Sequence, residues 1–344
     1  MVLSVCIAAS EIVPFAKTGG LADVTGALGK YLKKNGHDVR LFMPFYDIIH
    51  GGEVDFHPVE FIQNVRIPFE GYSLSFDLLT AKLPGSDADV YFVHCPPLYY
   101  RGSVYTSHGD EYLRFAFFCR AVIESCQRMG FSPHIFHCHD WHTAMIPMYL
   151  QTLYQWDSLF HRSKSVLTIH NIGYQGIFGR DVCHKIGLSS YLHRFHQDDY
   201  HRNQVNFLKH GLLYATWLTA VSRTYAKEIQ TPELGAGLDD ILRWRSPHLT
   251  GIVNGVDYDE WNPEKDRYLP HHYSIHSLEG KRLNKESFLQ QLNLAYDPEA
   301  PVIGIISRMT YQKGFDILME IMFDFLAHNN VRFIVIGSGE RRYE

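Results

Sequence analysis

Apolar residues along this chain come in short runs that alternate with stretches of helical spacing. Residues 3–9 form an apolar run of strand length, after which Leu21, Val24, Leu28, Tyr31 and Leu32 recur as one face of a helix opening near Leu21. Residues 37–44 read as the next strand, completing a β-α-β unit. Between Phe56 and Cys95 the texture changes. Tyr72, Leu74, Phe76 and Leu78 alternate with Ser73, Ser75 and Asp77, the period of a half-exposed strand, and Gly71 and Pro84-Gly85 mark turns. An antiparallel excursion is expected there, ending in a strand over 90–93. A polar loop containing Tyr105 follows, and then a helix over about 112–128.

Four further strands are expected at 134–138, 165–169, 218–221 and 250–253, and each runs into polar residues. The first ends in His139-Asp140-Trp141-His142, the second in His170-Asn171 and a Gly-rich loop, the third in Ser222 and the fourth in Asn254-Gly255. In open parallel α/β sheets, ligands bind outside the carboxyl ends of the strands, so this convergence points to a site. The first strand contributes Lys17-Thr18-Gly19-Gly20-Leu21-Ala22-Asp23. Glycine lets the backbone approach a ligand closely, the helix start favours an anion, and Lys17 adds a positive charge. The heptad fits neither the dinucleotide nor the P-loop pattern, and by itself it is equally a plain strand-to-helix turn.

Beyond Asn254 the chain is polar and rich in Tyr, His and Pro to about Leu278, and a helix then carries Leu283, Phe288 and Leu292 on one side. A fresh β-α-β follows: a strand over 302–306, a helix over 315–327 with Phe315, Leu318, Met322 and Phe325 inward, and a strand over 332–336. The fold class is therefore α/β in two domains, 1–248 and 249–344, with the boundary near Leu249. Two strands and one helix leave a face of the second sheet uncovered. The expectation is a fragment of a longer protein, or a segment that another chain covers.

Composition narrows the function. At 344 residues the chain can hold two cores, and its 46% apolar and 20% charged residues are ordinary for a globular protein. A net charge of −5 argues against nucleic-acid or anionic-membrane partners, and no apolar run has the length of a membrane span. Met1 leads directly into the first strand, so a cytoplasmic location is expected (a plastid stroma only if a transit peptide was removed). The six cysteines are scattered, which suggests reduced core thiols.

Lys17 in one domain and Arg308 and Lys313 in the other suggest a cleft holding a diphosphate. Arginine can make two parallel bonds to phosphate oxygens, lysine acts as a point charge, and both would stabilise charge on a departing diphosphate. On spacing alone, Arg308 and Lys313 read as ordinary exposed loop residues. Asp140 could hold a sugar hydroxyl, and His170 could donate to one or be a capping or core histidine. His137, His139 and His142 lack the spacing of a zinc site, so no metal is expected. No G-x-S-x-G elbow is present.

The stretches KTGGLADVTGAL, HCHDWHTAMIP, TIHNIGYQGIF, TAVSRTYAKEIQTPELGAGLDDIL, GIVNGVDYDEWNPEKD and SRMTYQKGFDIL stand in the order found in bacterial glycogen synthases and plant starch synthases. The chain resembles that family almost from end to end. The resemblance implies a GT-B fold, two Rossmann-like domains facing across a cleft. It also implies transfer of glucose from ADP-glucose to the non-reducing end of an α-1,4-glucan, with retention of configuration and no metal or other cofactor. By that resemblance Lys17, Gly19 and Gly20 lie against the donor's phosphates and glucose, with Asp23 supporting their loop. Tyr105 lines the cleft, and Asp140 and His170 contact the transferred glucose or the acceptor. Asn254 reaches the site from the domain junction, and Arg308 and Lys313 hold the diphosphate. The family's later F-E-P-C-G-L motif is absent. A UDP-glucose-using relative and a catalytically inactive glucan-binding fragment therefore stay open as alternatives.

Overall fold

The computed structural model describes residues 1–49 and 54–344. The chain divides into two compact units, Met1–Gly255 and Val256–Glu344.

The first unit contains β1 (Ser4–Ala8), β2 (Asp38–Pro44), β3 (His57–Pro58), β4 (Val65–Phe69), β5 (Tyr72–Lys82), β6 (Asp89–His94), β7 (Ile135–His139), β8 (Lys164–Ile169), β9 (Ile177–Gly179), β10 (Gln204–Asn206), β11 (Trp217–Ala220) and β12 (Leu249–Gly251). Among the described residues, ten of these form one sheet in the order β12-β11-β8-β7-β1-β2-β6-β5-β3, with β4 paired to β5, while β9 and β10 pair separately. The strands from β12 to β6 run parallel, and β5 turns antiparallel to β6. Helices cover both faces of the parallel part, which is why its strands are continuous apolar runs: Cys6, Ile7, Leu41, Phe42, Phe136 and Leu167 are fully buried. The expected alternation in β5 is present, with Phe76 and Leu78 buried and Ser75 exposed.

Three packing details set up the edge where the strands end. Helix Gly20–Lys34 lies close on the sheet, since a Cβ at Gly29 would come within 2.6 Å of Leu41 Cδ2. Helix Glu111–Arg128 is buried along most of its length. From it Arg114, wholly enclosed, pairs with Glu111 (2.6 Å) and donates to Leu98 O and Val104 O (2.7 and 3.1 Å). A buried charge needs such a full set of partners, and here they fix the loop that carries Tyr105. All six cysteines are buried and unpaired.

The order of the strands matters most. From β1 the chain proceeds to β2 and β6 on one side, then crosses to β7, β8, β11 and β12 on the other. Connections leave β1 and β7 in opposite directions, so a crevice opens between their carboxyl ends. Sequence reasoning sets the domain boundary near Leu249. Pairing of Leu249, Thr250 and Gly251 with Leu218, Thr219 and Ala220 keeps β12 in the first sheet, and the first unit runs to Gly255.

The second unit holds helix Glu279–Gln291, β13 (Val302–Ile306), helix Phe315–His328 and β14 (Arg332–Ile336), with β13 and β14 paired in parallel. In helix Glu279–Gln291 the buried positions are Gly280 and Leu289, whereas Phe288, and Leu292 just past the helix end, are exposed. Gly280 lies against the His272 carbonyl, where a Cβ would stand 2.1 Å from the oxygen. In helix Phe315–His328 Phe315 is buried and Leu318 and Met322 are half-buried, but Phe325 is exposed. Ile317, Ile321 and Phe323 on that helix and Ile306 and Ile336 on the strands are exposed too. One helix cannot cover both faces of a parallel pair. No helix among the described residues is long and apolar enough to cross a membrane.

Candidate functional site

β1 runs into Ser10 and Glu11, both buried. The Glu11 carboxylate accepts the Thr18 backbone N–H, the Thr18 hydroxyl (3.1 Å) and the Tyr105 hydroxyl (3.1 Å). Ser10 Oγ and Tyr105 OH are 2.8 Å apart, Tyr46 OH donates to Ser10 O (2.8 Å), and Thr25 Oγ1 donates to Glu11 O (2.9 Å). One buried carboxylate thus ties the turn after β1 to the tyrosine loop before helix Glu111–Arg128. Burial pushes its pKa up, and the donors on Thr18, Tyr105 and Gly19 act in the other direction. Above this clamp, Lys17 Nζ meets Asp23 Oδ1 at 2.6 Å, both partly exposed. A Cβ on Gly19 or Gly20 would meet open space, and neither has a positive φ. Nothing in the protein's own packing demands glycine there.

β7 ends at His139, and Asp140 turns the chain with φ +55°, a left-handed conformation unusual for a residue with a side chain. That turn directs its carboxylate back to β8, where Oδ1 accepts His170 N–H (2.7 Å) and Asn171 N–H (3.3 Å). Burial raises the Asp140 pKa to about 7 despite these donors, and the Glu11 charge adds to the rise. His139 Nδ1 and His170 Nε2 share a hydrogen bond of 2.9 Å. Deeper in the sheet, His137 Nε2 pairs with Thr168 Oγ1 (2.7 Å), which pairs in turn with Thr219 Oγ1 (2.7 Å). Burial depresses His137 to about 4 and His170 to about 3, and depresses His139 and His142 as well, so these rings are neutral. His142 stacks on Tyr105, with ring centroids 4.7 Å apart, joining the β7 side of the crevice to the β1 side. Gly176 (φ +63°) closes the loop after β8 over Trp141, where a Cβ would stand 2.3 Å from the indole. Among the described residues, no three His, Cys, Asp or Glu side chains are grouped to hold a metal ion.

Lys17, Gly19, Gly20, Asp23, Tyr105, Asp140 and His170 therefore stand on one edge of the first unit, around the β1–β7 crevice. Asn254 follows β12 and is exposed. Arg308 and Lys313 are exposed in the second unit, on the segment between β13 and helix Phe315–His328. Sequence reasoning missed Glu11. Its one signal is a carboxylate in an otherwise apolar stretch directly after a strand.

The profile of the starch synthase catalytic domain matches residues 4–244. The chain belongs to the glycogen and starch synthase family. It is 40% identical to glycogen synthase of Thermodesulfovibrio yellowstonii, an alignment covering 99% of this chain and 71% of that protein. With glycogen synthase 1 of Geobacter sulfurreducens the identity is 42%, over 98% of this chain and 68% of that one. The catalytic domain of starch synthase IV from Arabidopsis thaliana, solved bound to ADP and acarbose, superimposes with a TM-score of 0.92 at 31% identity. That match covers 100% of this chain and 70% of that one. As a glycogen and starch synthase family member, the chain is a GT-B glycosyltransferase of glycogen or starch synthesis, with a nucleotide-sugar donor and a glucan acceptor.

Proposed function

We propose that the donor is ADP-glucose, and that glucose passes to the non-reducing end of an α-1,4-glucan with retention of configuration and without a metal ion. The observation that carries this reading is the gathering of the Lys17–Asp23 turn, Tyr105, Asp140 and His170 around the crevice between β1 and β7. The ADP named for the plant starch synthase IV domain supports the adenine nucleotide. Glycines at 19 and 20, which the fold itself does not require, suit a backbone that lies against a ligand. Lys17 and the N–H groups opening helix Gly20–Lys34 would face phosphate or sugar oxygens, with Asp23 holding the lysine. Asp140, its pKa near neutrality, would take a hydrogen bond from a glucose hydroxyl, and His170, a neutral ring, would orient it. Tyr105 and Asn254 would line the sugar path. Arg308 and Lys313 would draw off the charge that grows on the leaving diphosphate. No side chain acts as nucleophile: the acceptor hydroxyl attacks from the face the diphosphate leaves, and the diphosphate takes its proton.

Labelled ADP-glucose and UDP-glucose, offered separately with maltotriose, test the assignment. Chain elongation with ADP-glucose that survives a chelator and is lost in Asp140→Asn supports it. Preference for UDP-glucose makes the chain a relative with another donor, and binding of glucan with no transfer from either donor makes it a glucan-binding protein.

A further inference from the structure

The proposed transfer gives His139 no part, yet its ring touches His170 directly. His139 is wholly enclosed at the end of β7. Its Nδ1 lies 2.9 Å from His170 Nε2, and its ring centroid is 4.3 Å from that of His137. Its backbone is pinned by Thr143 Oγ1, which accepts the His139 N–H (2.6 Å) and donates to the His139 carbonyl (3.0 Å). The other ring nitrogen, Nε2, is buried and meets no hydrogen-bonding partner among the described residues. Thr168 stands opposite His139 in the β7–β8 register, but its hydroxyl is already committed to His137 Nε2 and Thr219 Oγ1, each at 2.7 Å.

The proton on one ring decides the proton on the other. Burial holds both rings neutral, so each carries one N–H and one bare nitrogen. The contact between them uses a single proton, and two arrangements supply it. If His170 Nε2–H donates, His139 carries its own proton on Nε2, an enclosed donor without an acceptor. If His139 Nδ1–H donates, the enclosed Nε2 is only a bare lone pair. Enclosed donors left without an acceptor are rarer in proteins than acceptors left unused, so the second arrangement has the lower energy. His170 then carries its proton on Nδ1. That nitrogen bonds none of the described residues, and His170 is only partly buried where it follows β8.

We propose that His139 is a positioning residue that fixes His170 as its Nδ1–H tautomer, so that His170 offers a hydrogen-bond donor to a glucose hydroxyl oxygen. The nitrogen that an imidazole presents to a ligand is set by the bond its other nitrogen makes. A sugar hydroxyl both gives and takes a hydrogen bond. The Asp140 carboxylate supplies an acceptor beside His170, whose backbone N–H it holds at 2.7 Å, and the Nδ1–H tautomer supplies the donor that complements it. The opposite tautomer would set a second acceptor there. The proposal rests on the proposed function, in which His170 orients the glucose.

Ring-nitrogen NMR shifts of isotope-labelled histidine in the 344-residue chain read the tautomers, with the two rings assigned by the signals lost in His139→Asn and His170→Asn. The expected result is a proton on Nδ1 of both rings and a nitrogen–nitrogen coupling across the bond that joins them. A proton on His170 Nε2 overturns the proposal. In transfer from ADP-glucose to maltotriose, kcat should fall about tenfold in His139→Leu, the worth of one hydrogen bond. It should recover to within about threefold of the parent in His139→Asn, whose amide N–H can donate in place of Nδ1–H. A parent-like kcat in folded His139→Leu overturns the positioning role, and so does an equal loss in both variants when each melts as a folded protein. Absence of transfer by the parent chain counts against the functional reading, and the ring nitrogens then decide the tautomer separately.

Discussion

Replacing Glu11 should loosen two loops at once and slow transfer far more than it destabilises the fold. The carboxylate holds the Thr18 N–H, the Thr18 hydroxyl and the Tyr105 hydroxyl. A hydrogen bond to a charged group is worth about 1.5–3 kcal/mol, but Thr18 is exposed and its groups regain water, while Tyr105 keeps Ser10. Removing a buried carboxylate also relieves a desolvation cost, the cause of its raised pKa. The net loss for Glu11→Ala is therefore about 2 kcal/mol, a fall in melting temperature on the order of 4–8 °C for a unit of this size. Glu11→Gln keeps an acceptor oxygen without the charge and should lose about 1 kcal/mol. Transfer responds differently, because misplacing a positioning loop by about 1 Å can cost roughly a hundredfold in rate. Both variants should thus show faster exchange in peptides covering residues 12–20 and 102–108, and kcat should fall at least tenfold in Glu11→Gln at temperatures where it is fully folded. Parent-like exchange in those peptides together with a parent-like kcat would refute the clamp and leave Glu11 a core residue.

Four shorter predictions accompany it. Asp140 rises from 3.8 to about 7 on folding and Glu11 is raised too, so both add stability at low pH, and the part due to Asp140 is lost as pH climbs through about 7; the buried histidines at 137, 139, 142, 170 and 210 are depressed and lose stability as pH falls below 6.5. Asp140→Asn removes the opposing contribution that titrates near pH 7, so its melting temperature should drop more steeply than the parent's between pH 7 and pH 5, and equal slopes would contradict the raised pKa. Arg308→Ala should reduce turnover about a hundredfold or more with melting unchanged, as loss of a transition-state donor does, and a parent-like rate would remove it from the site. Chelator should leave transfer intact with no zinc co-purifying, and one tightly bound zinc per chain by elemental analysis would overturn the metal-free reading. Amides of β13, β14 and helix Phe315–His328 should exchange far faster than those of β1, β7 and β8, because Ile306, Ile317 and Phe323 are exposed while Ile7, Cys138 and Leu167 are enclosed; uniform slow exchange would contradict this.

Much of this was legible because burial writes itself into periodicity. The parallel strands are enclosed on both faces, so β1, β7 and β8 appear as apolar runs within a residue of their observed limits. Half-exposed β5 appears as an alternation, for the converse reason. In helix Glu279–Gln291 a buried close approach is made by Gly280, a residue with no side chain for an apolar pattern to count. The strand expected over 250–253 is present as β12, but the boundary near Leu249 cut it from its sheet, because nothing local in three partly buried residues tells which strand they pair with.

The candidate site was legible in a more limited way. Strand ends flagged Lys17, Asp140, His170 and Asn254 because polar residues stop apolar runs, a local signal. What makes a site of these positions is the order of the strands, since only the reversal between β1 and β7 leaves their carboxyl ends facing an open crevice. Residues that act through tertiary pairing leave no local trace. Glu11 meets Tyr105 across 94 positions of sequence, and Tyr105 meets His142 across a further stretch that includes a whole buried helix. A carboxylate that breaks an apolar run is ordinarily dismissed as the start of a turn. It acquires meaning only once another segment supplies the hydroxyl it holds, and that pairing is a property of the sheet rather than of the stretch containing Glu11.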